Sequence, residues 1–252
     1  MLGLGNSIIT GGVLEEAAWT PASLGSTMFI WYKNDTGLSN GSGTDGTSAN
    51  RLQWSDQSGN DNHVIQDTTA DKPAISEGGL DFEVSETDFM SFTTPFDFDH
   101  PKPFTLFFVV KRGSISAQTA LIGSNTQEFI SFSSSDDKVK VRGKSGTVED
   151  NVTVTFATSG LWETGVDFIF TITKDSSGNL LFYKDGAIQV ESGGGTSVND
   201  SSELDVEFLG KKISTTHNFD GIMKEIVMCD TVLSSGDRNS TITYLKDKFS
   251  IS

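Results

Sequence analysis

FTLFFVVKR, residues 104–112, is the stretch that decides the fold class. It is apolar along nearly its whole length, as a strand is when it sits at the centre of a sheet covered on both faces. Other strand-like runs surround it: MFIWYK from Met28, LDFEV from Leu80, FMSF from Phe89, ALIG from Ala120, FISFS from Phe129, VTVTFAT from Val152, DFIFTITKD from Asp167 and GIMKEIVMCD from Gly221. KVKVRGK (138–144) alternates charge with valine, which predicts one buried and one exposed face. NLLFYKDGAIQVES (179–192) is two strand-like runs around Lys184-Asp185-Gly186, and Asp-Gly favours a tight hairpin turn. One helix is predicted, at the end of the chain. Ser234 caps it, Asp237 completes a capping-box-like pattern, and Ile242, Leu245 and Phe249 supply one apolar face. With 26 glycines and 18 phenylalanines, the chain reads as all-β, an antiparallel sandwich of two sheets with a short C-terminal helix.

Charge narrows the function classes. Against 18 Lys and Arg stand 34 Asp and Glu, a net charge of −16. Nucleic acid requires cations to displace its counterions, so it is excluded as a partner, and an anionic membrane surface is disfavoured for the same reason. No run of 18 apolar residues is present, so no membrane insertion is expected. The single cysteine, Cys229, lies in the apolar run IVMC and reads as a buried, inert thiol. The opening MLGLGNSIITGG has neither the basic nor the apolar region of a signal peptide, and the sequons at Asn34, Asn151, Asn199 and Asn239 then read as chance matches. Residues 1–27 are small, glycine-rich and weakly patterned. They are expected to form an arm or linker, and residues 28–252 the sandwich domain.

Three segments together resemble the concanavalin A-like, laminin-G-like domains of phage virion proteins and bacterial surface proteins. The first is FIWYKNDTG (29–37) followed by LQWSDQSGNDNHVIQDTTADKP (52–73). The second is GLDFEVSETDFMSF (79–92), although relatives often carry Phe-Asp-Gly where this chain has Phe82-Glu83-Val84. The third is FDGIMKEIVMCDTVLSSGDRNSTITYLKDKF (219–249). The resemblance implies a jelly-roll sandwich. It also implies a non-catalytic virion structural or decoration protein on the virion surface, made in the host cytoplasm. Residues 1–26 would attach it to other virion proteins or to copies of itself. The alternative is a carbohydrate-binding module that recognises host or other surface glycans, with an extracellular location. A glycoside hydrolase is the remote alternative.

Three constellations could carry chemistry. Glu203-Leu-Asp205-Val-Glu207 resembles the E-x-D-x-E motif of laminarinase-like glycoside hydrolases, which share the fold; on a strand the three acids point to one face and could supply a nucleophile and a general acid. The competing reading puts Leu204, Val206 and Phe208 in the core and the acids in water. The 45 residues after Glu207 leave room for only one strand and the helix, so no catalytic residue is assigned. Asp56, Asn60 and Asp61, with His63 nearby and Asp88 brought in by the resemblance, form an oxygen-rich set suited to Ca²⁺. Their competing reading is a turn whose side chains bond its own backbone. Among the tryptophans, Trp31 and Trp54 lie in strand-like runs and read as core, whereas Trp162, between Gly160 and Gly165, is the candidate exposed aromatic for stacking on a sugar. GGGTS at 193–197 lacks the lysine and helix of a phosphate loop.

Overall fold

A computed structural model describes residues 18–43, 47–98, 102–115, 118–125, 128–145, 148–195, 197, 203–212 and 218–252. The strands in chain order are β1 (Met28–Tyr32), β2 (Leu38–Asn40), β3 (Leu52–Trp54), β4 (Val64–Gln66), β5 (Ala74–Ser76), β6 (Gly79–Phe82), β7 (Met90–Asp97), β8 (Phe104–Arg112) and β9 (Thr119–Gly123). They continue with β10 (Phe129–Phe132), β11 (Lys138–Ser145), β12 (Val148–Phe156), β13 (Asp167–Lys174), β14 (Leu180–Lys184), β15 (Ala187–Ile188), β16 (Glu191–Gly194), β17 (Asp205–Leu209) and β18 (Gly221–Cys229), and the helix α1 spans Ser235–Phe249. The first sheet runs β15-β14-β13-β8-β18-β6-β5, with β1 also on β18; the second runs β16-β12-β11-β10-β9-β17-β7-β4-β3-β2. Every strand pair is antiparallel. The chain is thus an all-β, jelly-roll-like sandwich with one C-terminal helix among the described residues.

Strand β8 holds the centre, between β13 and β18. Its Phe104, Leu106, Phe108 and Val110 enter the core between the sheets, while Phe107 and Val109 join a second cluster under α1. Both faces of the strand are therefore apolar because both are covered, at roughly 1.5–3 kcal/mol for each large side chain taken out of water. The order of layers is helix, first sheet, second sheet.

The helix starts as expected: the Ser234 hydroxyl accepts from the Asp237 N–H at 3.1 Å and donates to Asp237 Oδ2 at 2.8 Å. Ile242 and Leu245 are buried against Met28, Trp31, Val227 and Cys229. Burial pushes the Cys229 thiol up to about 12, so it stays a protonated core group. The β14–β15 hairpin turns through Asp185 at φ 50° and Gly186 at φ 85°, the left-handed pair that a tight two-residue turn needs. A Cβ on Gly186 would also stand 2.9 Å from Ile242 Cγ2, so that position is closed to side chains twice over.

Two features depart from a simple period-two reading. The register of β18 shifts between Met223 and Glu225. Met223 points into the core, and the extra residue lets Lys224 and Glu225 both serve the other face. There Glu225, fully buried, accepts from Trp31 Nε1 at 2.9 Å and from the Asn34 N–H at 3.3 Å, and takes the Lys248 ammonium of α1. The second departure concerns the expected arm. Its last ten residues pack on the domain: Leu24 joins the cluster beneath α1, and Trp19 lies edge-on to Tyr244 at 6.4 Å. Residues 1–17, the remainder of that arm, lie outside the described residues.

Candidate functional site

The outer face of the second sheet gathers most of the chemistry. On β11, Val139 and Val141 enter the core, so Lys138, Lys140, Arg142 and Lys144 face away from it. On β17, Val206 and Leu209 enter the core. Asp205 faces outward opposite Asp97 of β7. A register shift between Val206 and Phe208 lets Glu207 and Phe208 follow Asp205 on that side. Asp97, Asp205 and Glu207, with Pro95 and Phe96, line a shallow cleft of about 210 Å³. Two of its carboxylates have a donor already: Lys102 sits on Asp97, and Asn125 Nδ2 donates to Glu207 Oε2 at 2.6 Å. Beneath, the buried Glu128 anchors the strand by accepting from the Asp205 N–H at 3.0 Å.

Next to the acids the face becomes aromatic and basic. The chain leaving β17 crosses Gly123 of β9 so closely that a Cβ there would stand 2.7 Å from the Lys211 carbonyl oxygen and 3.1 Å from Lys212 Cα. That crossing lays Lys211 over Phe89 and Phe208, at 3.7 and 4.8 Å from their ring centres, and Lys212 over Phe129 at 4.2 Å. Lys212 is 8 % exposed. Burial, then repulsion from Lys140 and Arg142, holds its ammonium down at about 8.

The residues singled out in the sequence separate. Asp205 and Glu207 meet in the cleft, but Glu203 is not among its lining residues; it is exposed and bridges the backbone of Lys144. The E-x-D-x-E string is therefore not assembled as one group. Leu204 and Val206 are buried, as the competing reading had it, but Phe208 is not in the core: the register shift turns it outward against Phe89 and Lys211. Trp162 corrects an expectation: it is 0 % exposed, packed among Phe132, Phe156, Phe168 and Phe170. Gly160 and Gly165, at φ 73° and 77°, do form turns, and these fold the indole inward. Trp31 and Trp54 are core.

Two of the expected calcium ligands, Asp56 and Asn60, already have protein partners. Asp56 Oδ1 accepts from the N–H groups of Trp31 and Ser58, at 2.8 and 2.9 Å, and Oδ2 from the Ser58 hydroxyl and the Asn62 N–H, at 2.6 and 3.1 Å. Asn60 turns its amide N–H groups to the carbonyls of Met28 and Phe29, and the Asp56 N–H donates to His63 Nδ1. A cation would have to displace this donor set, which instead pins the loop to β1. Asp61 is open to water, 3.9 Å from His63 Nε2. Among the described residues no group of three or more His, Cys, Asp or Glu is placed to hold a metal.

Asp88 belongs to a different place. It is 3 % exposed, its Oδ2 accepts from the Glu83 N–H at 2.8 Å, and its Oδ1 has no partner among the described residues. Beside it Asn218, also buried, donates to the Asp88 carbonyl, and its own Oδ1 is likewise unmatched among the described residues. Burial, then repulsion from Glu86, Glu83 and Asp71, pushes the Asp88 carboxyl up to about 6 from an ordinary 3.8. A raised carboxyl favours the protonated fold, so ionised Asp88 costs stability above pH 6 and nothing below about pH 4. At about 1.4 kcal/mol per unit the cost is about 3 kcal/mol at neutral pH. Asp88→Asn is expected to raise the melting temperature at pH 7.5 and to lose that advantage at pH 4. Equal gains at both pH values would contradict the burial of a charged Asp88.

No protein-family model matches the sequence, and no curated protein matches it. Solved structures do. The binding domain of Paraclostridial Mosquitocidal Protein 1 matches with a TM-score of 0.50 and 12 % identity, over 89 % of this chain and 52 % of that one. A Trypanosoma rangeli sialidase in complex with the inhibitor DANA matches with a TM-score of 0.50 and 14 % identity, over 88 % of this chain and 33 % of that one. At these identities the likeness is one of fold, a two-sheet sandwich. The chain spans about half the length of the toxin structure and a third of the sialidase.

Proposed function

We propose that the chain is a non-catalytic carbohydrate-recognition domain whose sugar site lies on the outer face of the second sheet. The observation that carries this reading is the cleft in which Asp97, Asp205 and Glu207 stand around the exposed Pro95. Sugars present hydroxyl donors around an apolar ring face. Carboxylates accept from the hydroxyls in charge-assisted bonds, and the exposed Pro95 gives the ring an apolar surface to lie against. Glu203 lies outside that cleft, exposed and paired through its backbone with Lys144. The fold relatives agree with this class: one is the binding domain of a toxin, the other a sialidase. Neither draws the chain toward a virion building block. A domain of this kind would act where glycans are displayed, outside a cell or on a particle surface.

The test is a glycan array followed by calorimetry on the best binder. Asp205→Asn is expected to weaken binding about tenfold, the worth of one hydrogen bond to a charged group, with the melting temperature unchanged. An array with no member above background would overturn the reading. So would β-glucan hydrolysis that disappears in Glu203→Gln.

A further inference from the structure

The acidic cleft is only one end of the outer face, and the other end carries the opposite charge. Six of the chain's 18 basic residues, Lys138, Lys140, Arg142, Lys144, Lys211 and Lys212, lie on β11 or in the segment crossing β9. Elsewhere many basic groups pair with carboxylates, Arg51 with Asp67, Lys102 with Asp97, Lys111 with Glu77, Lys184 with Glu163, Lys224 with Glu77 and Asp167, and Lys248 with Glu225, while Arg112 and Lys174 bond backbone carbonyls and Arg238 lies over Tyr183. Lys140 and Lys212 have no carboxylate partner among the described residues, although acids outnumber bases by 34 to 18. Instead they share one aromatic ring, Phe129, with ammonium groups 5.8 and 4.2 Å from its centre. Burying Lys212 beside Lys140, over the same ring, is unfavourable unless an anion arrives.

We infer that this basic end binds the negatively charged group of an acidic oligosaccharide, a carboxylate or a sulfate, while neutral parts of the same chain lie toward the acidic cleft. This rests on the glycan reading and names the ligand class for that face. The geometry favours a saccharide over other polyanions. From β17 to β11 is three strand spacings, roughly 14 Å across the sheet, and the register sets Lys140 several residues further along the strands than Asp205, so a ligand that meets both ends is an oligosaccharide and not a single sugar. A nucleic acid, with a charge on every unit, would set phosphates against those carboxylates and against a net charge of −16. An oligosaccharide with charge on some units and hydroxyls on others meets both ends.

The test uses the full chain on an array that presents sialylated, uronate-bearing and sulfated glycans, each beside its uncharged parent, with a single-stranded oligonucleotide as a further arm. Acidic members should be bound at least tenfold more tightly than their parents at low salt, and raising the salt should erode that preference. The sialylated and uronate arms against the sulfated arm tell which anion is read. Lys140→Ala/Lys212→Ala should abolish the preference, leave binding of the uncharged parents unchanged, and melt no lower than the original chain. Asp205→Asn should weaken both classes. Parents bound as tightly as their acidic partners, a preference that survives the double substitution, or tighter binding of the oligonucleotide would each overturn the inference. The first two leave the glycan reading standing. Binding of no glycan at all overturns both.

Discussion

Trp162→Ala should be among the most damaging single substitutions in this chain, costing about 3–5 kcal/mol. The indole is fully buried, and Phe132, Phe156, Phe168 and Phe170 surround it with ring centres 5.2–5.8 Å away. These rings come from β10, β12 and β13, so the indole joins the two sheets. Its removal leaves a hole that stiff neighbouring rings cannot close. The backbone at this position also works: the Trp162 N–H donates to the Asp136 carbonyl at 2.7 Å, and its carbonyl accepts from the buried Arg112 at 2.7 Å. A change to alanine keeps both bonds, so the loss measures ring burial alone. Against a total stability of about 5–15 kcal/mol for a domain, urea unfolding should show a large fall in midpoint or no folded state. Trp162→Phe should recover more than half of the loss. A loss under about 1 kcal/mol for alanine would mean the ring is not where the core needs it.

The second large effect is expected at Glu225. Taking one partner from a buried ion pair costs about 3–5 kcal/mol, because the other groups lose their match without regaining water. Glu225→Ala strands Trp31 Nε1, the Asn34 N–H and the Lys248 ammonium together. Lys248 keeps 23 % of its side chain exposed and can rehydrate, which puts the expected loss near about 3 kcal/mol. Lys248→Met should cost a similar amount by leaving the carboxylate unopposed. Glu225→Ala with Lys248→Met should then cost less than the sum of the two single changes. Hydrogen exchange should locate the damage in α1, which this pair ties to β18. Additive losses would show that the pair is not coupled.

Much of this fold was legible because burial repeats with strand or helix period. FTLFFVVKR is covered on both faces, KVKVRGK splits into buried valines and outward cations, and Ser234 caps the helix that Ile242 and Leu245 seat. The Asx-rich loop was legible as a turn where Asp56 accepts from the Ser58 N–H, but not in the bonds by which Asp56 and Asn60 reach the distant backbone of β1. Three other things were not. A register shift adds one residue without changing composition, so the turning out of Phe208 and of Lys224 with Glu225 left no trace in the alternation. Glycines around Trp162 announced a bend but not its direction. The meeting of Lys212 with Phe129 depends on a chain crossing at Gly123, 89 residues earlier, which no local pattern reports. The signal that could have found the site was weaker: FLGKK after an acidic strand, and a second strand, KVKVRGK, with all its charge on one face.

Hydrogen exchange of the full chain, with and without the saccharide that binds best on the array, tests the placement of the site most directly. Protection on binding should concentrate in β7, in residues 205–212 and in β10 and β11, leaving α1 and β13 to β15 unchanged. A bound saccharide that protects α1 or the β14–β15 hairpin, and leaves β17 unprotected, would contradict a sugar site on the outer face of the second sheet.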